Sequence, residues 1–151
     1  MGNETVFRRF GEGFGWDGVE TRPYKDDGAA RFKDITRRNL FVHEHLACEL
    51  RYFEMAPRGH STLERHQHVH AVMILRGRGD VLVGHMVRAV ETYDLVTIPP
   101  MTWHQFRATH GEPFGFLCMV NTARDRPVLP TEAELRELRR TPAVAAFLDP
   151  T

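Results

Sequence analysis

The chain has no apolar run near the roughly 20 residues that a membrane-spanning helix needs. Its first stretch, MGNETVFRRFGEGFGW, has no apolar centre like that of a secretory signal, and Val6 stands where a myristoylation signal wants Ser or Thr. Membrane insertion and export are therefore not expected. Cysteine is scarce: Cys48 and Cys118 are the only two among 151 residues, too few for a disulfide framework. Two reduced thiols in a cytoplasmic setting are expected. Neither sign of charge is in excess. Lys+Arg and Asp+Glu are 20 each, so formal net charge is zero. That removes a bulk electrostatic case for nucleic acid or an anionic membrane. It also leaves little repulsion between copies, and a homodimer is expected. No internal repeat or low-complexity tract is present.

What remains is an ordinary globular composition, 42% apolar and 26% charged, with enough length for one domain and a real core. Residues 1–30 are rich in glycine and aromatics without helical period, and read as an N-terminal arm. From Arg31 the chain becomes short apolar runs split by Gly and Pro. Strands are expected over 32–42, 48–55 (closed by Pro57 and Gly59), 69–75, 80–83, 86–90, 93–98, 104–108 and 114–121. Such spacing argues for an all-β sandwich or barrel over residues 31–125. Residues 126–151 read as a helical extension of the same domain. Thr131 with Glu134 forms a capping box, and Thr141-Pro142 marks a second helix start.

Chemistry concentrates in ERHQHVHAVMILRGRG, residues 64–79, and in IPPMTWHQF, residues 98–106. In one straight strand Glu64, His66, His68 and His70 would share a face, yet Glu64 and His70 would lie about 20 Å apart at about 3.3 Å per residue. Metal bonds are only about 2 Å long. A single metal site therefore demands a bend at Gln67-His68-Val69. Glu64 and His66 then precede the bend, His70 opens the next strand, and His104 follows a proline pair. The expected ligands are Glu64, His66, His70 and His104. Nitrogen and oxygen donors without sulfur suit a divalent Mn, Fe, Ni, Zn or Cu ion.

These two segments resemble the motifs of the cupin superfamily of small β-barrels. Glu64-x-His66-x3-His70 and Gly77 follow the spacing of the first cupin motif, with glutamate and histidine exchanged at its ends and Gly59 leading in one residue off its usual place. DLVTIPPMTWHQF is similar to the second motif. The resemblance spans roughly residues 45–121 and implies a single-domain cupin-like jelly roll. In a rival register His66 and His68 are the motif pair. His68 is then an alternative ligand or a proton carrier.

Phe114, Phe116, Cys118 and Val120 are expected on one strand face, with Cys118 either a small buried hydrophobe or, near a metal, a nucleophile. Cys48 reads as buried filler. Arg51, Tyr52, Trp103 and Phe106 are candidate substrate-binding residues. Arg65 and Arg107 could also hold an anion, while His43, His45, His85 and His110 read as surface residues.

The run ELRYFEM…GHSTLERHQHVHAVMILRGRG with a later FGFLC is similar to a subgroup of small cupins that includes methylthioxylulose-5-phosphate methylsulfurylase. That similarity implies manganese, and removal of a methylthio group from a ketose phosphate with Cys118 and His68 as catalytic residues. Cupin dioxygenase, sugar isomerase and a non-catalytic metal or ligand sensor are the alternatives, since fold alone does not choose.

Overall fold

The computed structural model describes residues 4–25 and 31–151. Residues 1–3 and 26–30, with Gly2 and the end of the expected arm, lie outside the described residues. The elements in chain order are β1 (Phe10–Gly11), β2 (Gly15–Trp16), β3 (Arg22–Pro23), β4 (Lys33–Phe41), β5 (Cys48–His60), β6 (His70–Arg76) and β7 (Arg78–Val83). They continue with β8 (Met86–Glu91), β9 (Leu95–Ile98), β10 (His104–Arg107), β11 (Phe114–Asn121), α1 (Glu132–Leu138) and α2 (Pro142–Leu148).

Strand alternation builds the barrel. In β11, Phe114, Phe116, Cys118 and Val120 are buried and Met119 is exposed, the two-residue period of a strand with one face inside. The inner face of β5 adds Phe53 and Met55, β6 adds Val72 and Ile74, and β10 adds Phe106. Each fully buried ring or branched chain contributes roughly 1.5–3 kcal/mol. The rings of Phe106 and Phe116 stack at 4.2 Å. Nine strands form one curled sheet, in the order β8-β7-β10-β5-β11-β6-β9, with β4 paired to β5 and β3 to β4. All pairings are antiparallel. The fold is an all-β barrel, as the spacing of the apolar runs predicts.

β5 departs from expectation. Pro57 and Gly59 do not close it at Met55; the strand continues to His60. The extra residues are absorbed as a bulge, because Met55 pairs with Ile35 while His60 pairs with Lys33. Arg58 takes a positive φ of 70°, and its N–H donates to the Ala108 carbonyl at 2.9 Å. Gly77 behaves as the motif predicts. Its φ is +68° between β6 and β7, and a Cβ there would lie 2.2 Å from the Pro113 carbonyl oxygen.

Both helices pack outside the barrel. Leu138 of α1, with Val144 and Phe147 of α2, joins Leu63, Leu82 and Trp103 in a second core. The capping box forms, with Thr131 accepting from the Glu134 N–H. Thr141 is the N-cap of α2 but makes no side-chain cap bond among the described residues. The arm packs over the barrel's outer face, where Phe14 stacks on Tyr52 and Trp16 meets it edge-on. No helix among the described residues is long and apolar enough to cross a membrane.

Candidate metal centre and thiol pocket

The bend expected at Gln67-His68 is present, and a carboxylate holds it. Asp125, just beyond β11, accepts from the Gln67 N–H at 2.7 Å, the His68 N–H at 3.0 Å and the His68 Nδ1 at 2.8 Å. These bonds, the Gln67 amide first, keep the Asp125 carboxyl well below the usual carboxylate range. The bend brings His70 back beside His66, while the backbone of Glu64 pairs in both directions with that of His104. His66, His70 and His104 then present ring nitrogens all within 4.8 Å of one another.

The remaining bonds fix which nitrogens are free. His66 Nδ1 faces the His68 carbonyl at 2.8 Å, and His104 Nδ1 faces the Thr102 carbonyl at 2.9 Å. A carbonyl only accepts, so both Nδ1 atoms carry the proton and both Nε2 atoms keep a lone pair. Burial, as the largest cause, lowers His66 and His104 to about 4 and pushes His70 down further. All three are therefore neutral at pH 7, the form that ligates metal. His70 Nε2 lies 2.8 Å from His66 Nε2, and His70 Nδ1 lies 2.7 Å from Cys118 Sγ. Two nitrogens each about 2.1 Å from one ion at right angles would be about 3.0 Å apart. Without an ion, His70 Nε2 can donate its proton to the His66 Nε2 lone pair; with one, both nitrogens are spaced to ligate it. The three-imidazole set thus fits a metal ion.

Of the four expected ligands, Glu64 stands apart. Its buried carboxylate accepts from Lys25 Nζ, and it does not belong to the three-nitrogen cluster. Burial raises its pKa, while Lys25 pulls it back. His68 stacks flat on His66, with ring centroids 3.6 Å apart, and lines the cavity beside the cluster. A second, more exposed group, His66, His68 and Asp125, also has metal-ligating spacing.

The cavity in front of the imidazoles is about 200 Å³. Its wall includes Cys118, Arg51, Phe106, Phe116, His70 and His104. Cys118 is 1% exposed. Burial pushes its thiol up to about 11, against the pull of the Arg51 guanidinium that hydrogen-bonds the sulfur. Arg51 itself is buried, and its Nε has no hydrogen-bond partner among the described residues. Lys25, Arg37 and Arg124 add positive charge, set against Glu64 and Asp125.

Two substrate-binding expectations fall elsewhere. Tyr52 points to the opposite face of β5, beneath the arm, and donates to Glu54 at 3.1 Å. Trp103 belongs to the helix-covered core, with the Arg65 guanidinium 4.3 Å above its ring. Arg65 is drawn away to Glu134, and Arg107 sits over Phe147. Sequence reasoning missed Lys25 and Asp125. Each lies in a polar stretch of sequence, PYKDDG or TARDRP, with no periodic neighbour to single it out.

A curled antiparallel barrel with histidines converging from a bend and from a proline-led strand defines a cupin. The pattern of the Cupin domain matches residues 51–120, and the chain belongs to the cupin family. Within it, the chain is 59% identical to the 1-methylthio-D-xylulose 5-phosphate methylsulfurylase of Rhodospirillum rubrum, over 97% of this chain and 94% of that one. The crystal structure of a cupin 2 conserved barrel domain protein from Rhodopseudomonas palustris is similar with a TM-score of 0.89 and 55% identity, covering 94% of this chain and 98% of that chain. A cupin 2 domain-containing protein from Halorhodospira halophila has a TM-score of 0.71 and 38% identity, covering 89% of this chain and 88% of that chain.

Proposed function

We propose that this protein is a cupin C–S lyase that removes the methylthio group from a ketose phosphate, using Cys118 as nucleophile and a divalent metal, manganese first, on His66, His70 and His104. The observation that carries the reading is the contact of Cys118 Sγ with His70 Nδ1 at 2.7 Å, on the wall of the cavity that the imidazoles face. The extensive identity to a methylsulfurylase supports it. An open cavity lined with cations favours an enzyme over a sealed sensor.

A metal ion at the three imidazoles supplies Lewis-acid stabilisation of negative charge on the ketose oxygen. With Nε2 given to the metal, His70 Nδ1 carries a proton and donates it as a hydrogen bond to Cys118, favouring thiolate. Arg51 adds a second donor to the same sulfur. The thiolate attacks the methylthio sulfur. An S–S bond forms, the C–S bond breaks, and its electron pair stays on the substrate carbon as an enolate. The carbon is thereby reduced and the cysteine sulfur oxidised. His68, oriented by Asp125, delivers the proton that this carbon takes up. Two equivalents of an external thiol then restore Cys118, release methanethiol and leave as their own disulfide. A reducing, cytoplasmic setting suits this chemistry. A homodimer would cover the exposed Phe7, Phe41, Val42 and Leu46.

Cys118→Ala tests the assignment. The variant is expected to keep its metal and lose turnover by on the order of 10³-fold or more. Full turnover with metal retained would rule the nucleophile out.

A further inference from the structure

We propose that Lys25 withholds Glu64 from the metal, so that the ion is held by protein through His66, His70 and His104 alone. The inference rests on the reading of those imidazoles as a metal centre. The two-way backbone pairing of Glu64 with His104, at 3.2 and 3.0 Å, sets both side chains on one side of the ladder, and both line the cavity. A carboxylate in that place stands next to the cluster, yet the converging donors are the three imidazoles without it. Lys25 supplies the reason. Its side chain is 23% exposed, and its ammonium donates to Glu64 Oε2, whose side chain is 8% exposed. A buried carboxylate needs a compensating cation, and the lysine already provides one. A divalent ion on the same carboxylate would be set against that ammonium, a like-charge contact.

The arrangement has two consequences for the chain. Three neutral imidazoles leave the ion's charge undiminished by any protein carboxylate, which strengthens its pull on a substrate oxygen. The pair also ties the arm to the site: Lys25 follows Tyr24, which is buried in the barrel core, and β3, which pairs with β4. Lys25 is thus a positioning residue that acts through Glu64.

The test is binding of Mn²⁺ and Co²⁺, by titration and by the visible spectrum of the Co²⁺ protein, for wild type, Glu64→Gln, Lys25→Met and the double variant. Glu64→Gln is expected to bind one ion with an unchanged Co²⁺ spectrum, and more weakly than wild type because the Lys25 ammonium is left unpaired beside the ion. Lys25→Met frees the carboxylate, and is expected to bind roughly tenfold tighter with an altered spectrum. The double variant, which removes both charges and leaves neither buried alone, is expected to return to wild-type behaviour. A changed Co²⁺ spectrum in Glu64→Gln, or weakening of roughly tenfold or more in the double variant, would make Glu64 a ligand and overturn the proposal. The Glu64→Gln spectrum is decisive even where Lys25→Met fails to fold. Wild-type protein that takes up no ion would overturn the metal reading and this inference with it.

Discussion

The two faces of β5 make the same materials into different things. On the outer face, Glu54 receives Tyr52 at 3.1 Å and lies between the guanidiniums of Arg76 and Arg38, at 2.5 and 3.6 Å, under the rings of Phe14 and Trp16. Each of these charges has a partner. On the inner face, Arg51 stands buried with its Nε unpartnered, beside a buried thiol and imidazoles whose ring nitrogens converge. Buried polar groups cost free energy unless they are satisfied. A fully paired network stabilises the fold, whereas an unpaired one retains its binding capacity for something that arrives later. The contrast separates structure from function without appeal to residue type, since both faces carry arginine and aromatic rings.

Breaking the inner face should cost activity and spare the fold. After Cys118→Ala, the largest such effect is expected from Arg51→Met. Loss of a buried guanidinium that meets an anionic substrate should raise KM by on the order of 10²-fold. Thermal stability is expected to stay level or rise, because a buried guanidinium with an unpartnered Nε is removed. Steady-state kinetics beside a thermal melt checks both halves. A collapsed Tm with unchanged KM would move Arg51 to the structural side.

The outer face should answer in the opposite way. Glu54→Leu leaves two guanidiniums without their carboxylate and is expected to cost about 3 kcal/mol of stability. Metal content and KM should hold. Urea unfolding reads the first, and elemental analysis with kinetics reads the rest. Loss of metal in a folded Glu54→Leu protein would erase the distinction between the faces.

Acid should sharpen it further, in metal-free protein. His66 and His104 sit at about 4 in the fold against 6.5 as free imidazoles. Between those values the unfolded chain binds more protons than the folded one, so stability falls as pH drops from about 6.5 toward 4. Each imidazole contributes up to about 1.4 kcal/mol per pH unit in that window. Urea midpoints at pH 7 and pH 5 in chelator should therefore differ, and His104→Gln should narrow the difference. Equal midpoints would mean that the imidazoles are not held neutral by the fold.

Much of this was legible in the sequence, for reasons that are local. The alternation in β11 placed Phe114, Phe116 and Cys118 inside, and the length of a strand forced a bend between His66 and His70. What stayed hidden depends on long-range contact. Tyr52 and Arg51 are neighbours in sequence, and only the arm, arriving from Phe14 and Trp16, decides which face is covered. Lys25 reaches Glu64 across 39 positions, and Asp125 reaches His68 across 57. Pro57 and Gly59 read as a stop because the bulge that tolerates them needs Ala108 as a partner. Trp103 adjoins His104 in a cupin motif, yet strand alternation turns it to the helices.

The central claim is that Cys118 takes the methylthio group. The direct measurement is the mass of metal-loaded protein quenched after exposure to a 1-methylthio ketose phosphate without added thiol, followed by peptide mapping. The account predicts one methylthio group on Cys118, in disulfide linkage and released by a dithiol. Demethylthiolated product formed in full with Cys118 unmodified would contradict it.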